Sequence, residues 1–118
     1  MLPRRHRLRT PAEFSTTLRS GARYGSRNLV VFTAALASED EPTRVGFLVS
    51  KKVGNAVTRN LVKRRLRDKA VSVIEEHSTG KALVVRALPG AASLDWDALS
   101  ADFDATVRGS LSKHARRR

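Results

Sequence analysis

The sequence has no cysteine, so neither a disulfide framework nor a thiolate metal site can hold it together. No apolar run approaches the ~18 residues of a membrane span. The start, MLPRRHRLRTP, carries charge with no apolar stretch behind it and does not read as a secretory signal. A transit peptide is the weaker reading of that start, because Phe14 and Leu18 already belong to a folded-looking segment. Negative charge is the scarcest commodity: 11 Asp and Glu face 23 Lys and Arg, for a formal net charge of +12. Such an excess repels itself in a compact chain and is easiest to accommodate when a polyanion shares it. Nucleic acid is the first candidate, an anionic membrane surface the second. The expected location is cytoplasmic. The 118 residues fit a single domain, 1–118, with one modest core.

The few acids are also dispersed: Glu13, the Glu39-Asp40-Glu41 turn, Asp68, Glu75-Glu76, and Asp95, Asp97, Asp102 and Asp104 on one segment. A protein-only nuclease would cluster carboxylates around metal ions. His6, His77 and His114 lie far apart, and there is no Walker loop, dinucleotide fingerprint or nucleophile motif. No residue is therefore assigned a catalytic or metal-ligating role, and the polypeptide reads as non-catalytic.

Residues 1–9 hold Arg4, Arg5, Arg7 and Arg9 and read as a flexible basic arm. Thr10-Pro11 marks a helix start, with Phe14 and Leu18 on one face and Gly21 as its end. The apolar run 27–37 and the segment 44–50 read as strands. Joined by the acidic turn 38–43, they suggest an antiparallel hairpin; a short extra strand is possible at 23–26. Gly54-Asn55 breaks the second strand, and helical spacing then runs to about His77. Residues 80–88 read as a strand and 94–111 as a helix, with Trp96, Leu99, Phe103 and Val107 on one face. The tail 112–118 reads as basic and frayed. The order predicts an α/β (α+β) fold, with helices packed on a mixed sheet.

Eight basic residues lie between Lys51 and Lys69: Lys51, Lys52, Arg59, Lys63, Arg64, Arg65, Arg67 and Lys69, with Asp68 the one acid among them. They carry more than half of the net charge. At 100° per residue, Val62, Leu66, Ala70, Val73 and Ile74 form a stripe of ~120° that faces a core. Asn60, Lys63, Arg64 and Arg67 share an adjoining flank; Arg65 and Lys69 take the other. Arg59, in the first turn, reaches toward Lys51 and Lys52. A solvated face serving solubility would mix signs, whereas this one is cationic and rich in Arg, whose planar fork suits phosphate. A DNA-binding helix would bring a dimerisation heptad or helix-turn-helix spacing, and neither is present. A membrane-surface helix needs an apolar face free for lipid, and this one is required by the core. RNA is the polyanion that remains.

The stretch 45–68, VGFLVSKKVGNAVTRNLVKRRLRD, resembles the signature of the protein subunit of bacterial ribonuclease P: a strand ending in Ser-Lys-Lys, then Gly-Asn-Ala-Val, then a basic helix. The likeness extends to LRTPAEFSTTLRSG, to the strand carrying Phe32 and to the chain length. Leu61 departs from it, standing where Arg is commoner, as does Leu18, where an aromatic is frequent. The resemblance implies a two-layer sandwich of about four strands and three helices, with a left-handed βαβ crossover. It implies a protein that binds the catalytic RNA and the 5′ leader of precursor tRNA, with no part for membrane or DNA, while the RNA subunit uses Mg²⁺ to cut. Arg59, Asn60, Lys63, Arg64 and Arg67, with Lys51 and Lys52, would contact the RNA. Phe14, Leu18 and Phe32 would line the leader cleft. The alternative is a structural RNA-binding protein of ribosomal type.

Overall fold

The computed structural model describes residues 2–117. Three α-helices, α1 (Pro11–Ser20), α2 (Ala56–Glu76) and α3 (Trp96–Arg116), accompany four strands, β1 (Ala22–Gly25), β2 (Leu29–Ala35), β3 (Arg44–Val49) and β4 (Lys81–Ala87). Each α-helix starts on a side chain that accepts from a backbone N–H three residues on: Thr10 for α1, Asn55 for α2 and Asp95 for α3. Thr10 and Glu13 complete a reciprocal capping box, with Pro11 in the first turn.

The sheet runs in the order β1-β2-β4-β3. The short extra strand is therefore real, but the expected hairpin between 27–37 and 44–50 does not form. β2 pairs antiparallel with β1 and β4, while β3 pairs parallel with β4. The reason lies in β4, whose Ala82–Val85 run is buried on both faces. A strand of that kind belongs in the middle of a sheet. The 36–43 connection accordingly crosses the end of β4 and is fastened to the loop before it. Leu36 donates to Gly80 O, Gly80 to Glu41 O and Thr43 to Ser78 O. Gly80 has φ +87°, a conformation natural to glycine.

Side chains alternate across the sheet. Leu29, Val31, Val45, Leu83 and Val85 face α2 and α3 and share a core with Leu66, Leu99 and Phe103. Sheet and helix pair form the two principal layers. Val30, Phe32, Ala82 and Val84 face the other way, where α1 covers only part of the surface. At the α3 seam, Ser110 Oγ donates to Ala22 O at 2.6 Å and lies 2.8 Å from Thr33 Oγ1, all of it buried.

Both termini depart from the expectation. Residues 2–9 are not a free arm: Leu2 and Leu8 are 1% and 7% exposed, and Arg7 bridges Val45 on the outer edge of β3. The four arginines drew attention away from these two leucines. The tail does not fray at 112, because α3 continues through Arg116 and Lys113 Nζ donates to Arg23 O at 3.0 Å; Arg118 lies outside the described residues.

Ser110→Ala removes both hydroxyl contacts at the seam and leaves buried polar atoms unsatisfied. It is expected to cost about 1–3 kcal/mol, read as a lower urea midpoint at unchanged slope. An unchanged midpoint would mean that the α3 seam is held by apolar packing alone.

Candidate nucleic-acid interface

α2 separates its charges as the helical wheel predicts. Val62, Leu66, Ala70 and Val73 are buried, and Ile74 is half-buried against the same core. On the flank toward α3 the cations serve the fold. Arg65 Nη1 donates to Leu94 O at 3.2 Å, and Lys69 Nζ pairs with Asp104 at 3.0 Å, 5.9 Å from the centre of the Phe103 ring. The opposite flank has no such partners. Asn60 and Arg64 are exposed, Lys63 and Arg67 are half-buried, and no described acid pairs with any of them. Arg59 Nε turns back to Gly54 O at 3.2 Å, which draws its guanidinium toward the exposed Lys51 and Lys52 at the β3–α2 turn. Leu61 is half-buried rather than fully on the charged face. Five of the seven residues assigned to RNA thus share one rigid helix, with the two lysines at its N-terminal end.

The second assigned site is the sheet face that α1 half-covers. Phe14 lies over β3 at Gly46, where a Cβ would fall 2.4 Å from its ring; only glycine leaves that seat open. Phe14 and Leu18 are half-buried, whereas Phe32 is only 7% exposed and packs with Val30 and Val84. Phe32 is thus first of all a core residue. Beyond α1 the face continues into a groove of ≈ 530 Å³ lined by Leu48, Ser50, Lys52, Arg86 and Leu88. Arg86 was missed in the sequence. Its signal was a lone arginine in an apolar strand, alternating with Val84 and hence on the α1 side. Lys52 belongs both to this groove and to the basic turn, so the two surfaces are continuous.

α1 is tied down at Glu13. Partial burial works against its charge, but hydrogen bonds from Arg44 Nη1 at 2.9 Å, from the Thr10 backbone and hydroxyl, and from the Arg9 backbone N–H outweigh that and hold the carboxyl below its ordinary value. Among the described residues no three His, Asp or Glu side chains converge as a metal cage, and no helix is long and apolar enough to cross a membrane.

The sequence profile of the Ribonuclease P family matches residues 2–110. The chain belongs to the ribonuclease P protein family. It is 58% identical to the ribonuclease P protein component of Pseudarthrobacter chlorophenolicus over 99% of this chain and 85% of that one. To the corresponding component of Kocuria rhizophila it is 55% identical, over 98% and 100%. The Staphylococcus aureus RNase P protein superposes with a TM-score of 0.78 at 29% identity, covering 87% of this chain and 93% of that structure. The RNase P protein of Thermotoga maritima, at 22% identity and a TM-score of 0.73, shares the fold. The chain is accordingly a protein component of ribonuclease P, a tRNA-processing ribonucleoprotein endoribonuclease.

Because Glu13 titrates below its ordinary value near 4.5, its contribution to stability is complete above that pH and is lost as pH falls through the lower folded value. The stability gap between the parent and Glu13→Gln should be constant from about pH 7 to 5 and then narrow as the pH falls further, through the ordinary value and the lower folded one. A gap that widens on acidification would contradict the tie to Arg44.

Proposed function

We propose that the chain grips the catalytic RNA with the outer flank of α2 and holds the 5′ leader of precursor tRNA along the open sheet face. The observation that carries this reading is the unpaired cationic flank Lys63–Arg64–Arg67, joined through Lys52 to an uncovered groove. Fixed on a packed helix, these cations meet phosphates with little ordering cost. The leader cleft offers Phe14 and Leu18 as an apolar floor and Arg86 and Lys52 as phosphate partners. An aromatic face accepts any base, at roughly 1–3 kcal/mol per stacked base, which suits leaders of varied sequence. Mg²⁺ belongs to the RNA subunit, which performs the cut in the cytoplasm; protein side chains take no chemical step. Membrane and DNA have no part in it.

The test is cleavage of a precursor tRNA by a bacterial ribonuclease P RNA at low Mg²⁺, with and without the chain. Restored cutting at the mature 5′ end supports the reading, and RNA binding with no gain in cleavage points to a structural RNA-binding role. Arg64→Ala should weaken RNA affinity by about 1.5–3 kcal/mol with cooperative unfolding intact. Phe14→Ala should shrink the preference of the holoenzyme for leader-bearing over mature tRNA. Phe32→Ala is expected to do the same, but at a core cost of about 3–5 kcal/mol, so Phe14 gives the cleaner answer.

A further inference from the structure

The ordered N-terminal segment passes from one core to the other around the outer edge of β3. Leu2 is buried in the core beneath α2 and α3, and Leu8 in the core beneath α1. Between them Leu8 N donates to Val45 O at 3.1 Å, His6 Nδ1 to Thr43 O at 2.6 Å and Arg7 Nε to Leu2 O at 2.8 Å. The segment caps an edge that would otherwise offer unpaired backbone groups to other strands. It also holds Arg4, Arg5 and Arg9 exposed on the surface, with no described carboxylate paired to any of them.

α3 packs on β1 and β2, and α2 on β3. The flank of α2 turned away from α3 therefore overhangs the β3 edge that the segment occupies. Lys63 and Arg67 lie on that flank, so its cations and the three arginines border the same β3 edge. Glu13, the nearest acid in the chain after Arg9, is already committed to Arg44.

We infer that Arg4, Arg5 and Arg9 form a second, preformed contact for the same structured RNA that α2 binds. The inference rests on the α2 reading above and adds an element to it. Arginine at all three positions suits forked contacts to phosphate oxygens. With Leu2 and Leu8 anchored, the backbone carrying these arginines needs no ordering on binding, unlike a free basic tail.

Equilibrium binding of the full chain to a bacterial ribonuclease P RNA, measured across a salt series, tests this with three variants. Arg4→Ala/Arg5→Ala/Arg9→Ala removes the contact. Arg108→Ala/Arg116→Ala/Arg117→Ala removes as many exposed charges from α3 and its C-terminal cap, on the far side of α2. Arg64→Ala reports on α2 itself. Each lost phosphate contact lowers the salt slope by about 0.7–0.9, so the N-terminal variant should lose roughly 2 in slope and on the order of 10–100-fold in affinity. The α3 variant should keep the parent slope. Equal losses in the two triple variants would reduce the effect to net charge and overturn the inference. Parent-like binding by the N-terminal variant, with Arg64→Ala weakened, overturns it and leaves the α2 reading standing. Parent-like binding by both Arg64→Ala and the N-terminal variant removes the α2 reading as well. Should the alanine variant unfold, Arg4→Gln/Arg5→Gln/Arg9→Gln, which keeps long polar side chains, carries the same expectation.

Discussion

With 23 cations and 11 acids, the chain cannot neutralise itself, and its architecture follows from where the surplus is placed. Some cations are absorbed internally: Arg44 by Glu13, Lys69 by Asp104, Arg65 and Lys113 by backbone carbonyls. These four fasten α1 to β3, α2 to the α3 side, and α3 to β1. Among the described residues, Lys63, Arg64 and Arg67 on the outer α2 flank and Arg4, Arg5 and Arg9 of the N-terminal segment receive no such side-chain partner. Their mutual repulsion is tolerable because they sit at high dielectric on rigid elements, and it is relieved when phosphates arrive. The feature that weakens the free chain is the one that drives its assembly.

The geometry that makes this possible is set by β4. Its burial on both faces places it between β2 and β3, which sends β3 to the edge and α2 over it. A hairpin of β2 with β3 would put β3 inside the sheet. The present order instead leaves the basic helix, the covered edge and the half-open sheet face as neighbours. α1 is too short to cover that face, and Gly46 lets Phe14 lie directly on β3, so a shallow apolar cleft remains beside Arg86 and Lys52.

Much of this was legible in the residues. The cap at Thr10, the break at Gly54-Asn55, the apolar stripe of α2 and its cationic flank all follow the local sequence pattern, which short-range physics sets. Strand pairing was not legible, because β2, β3 and β4 are each good strands and the choice among them depends on which one must be buried twice. The order of residues 2–9 was hidden for a related reason. Leu2 and Leu8 are unremarkable until two separate cores exist to receive them. Phe32 shows the converse: its aromatic character fitted a cleft, but α1 sits above it.

The absence of cysteine permits a direct view of which surface meets RNA. Single thiols can be placed on the outer flank of α2 (Asn60→Cys), on the open sheet face (Arg86→Cys) and on α3 (Arg108→Cys), and their rates of modification by a thiol reagent compared in the free chain, with ribonuclease P RNA, and with RNA plus precursor tRNA. Protection of the first site by RNA alone, of the second only when a leader-bearing tRNA joins, and of the third in neither complex is the predicted pattern. Protection on α3 with free access on α2 would contradict the account.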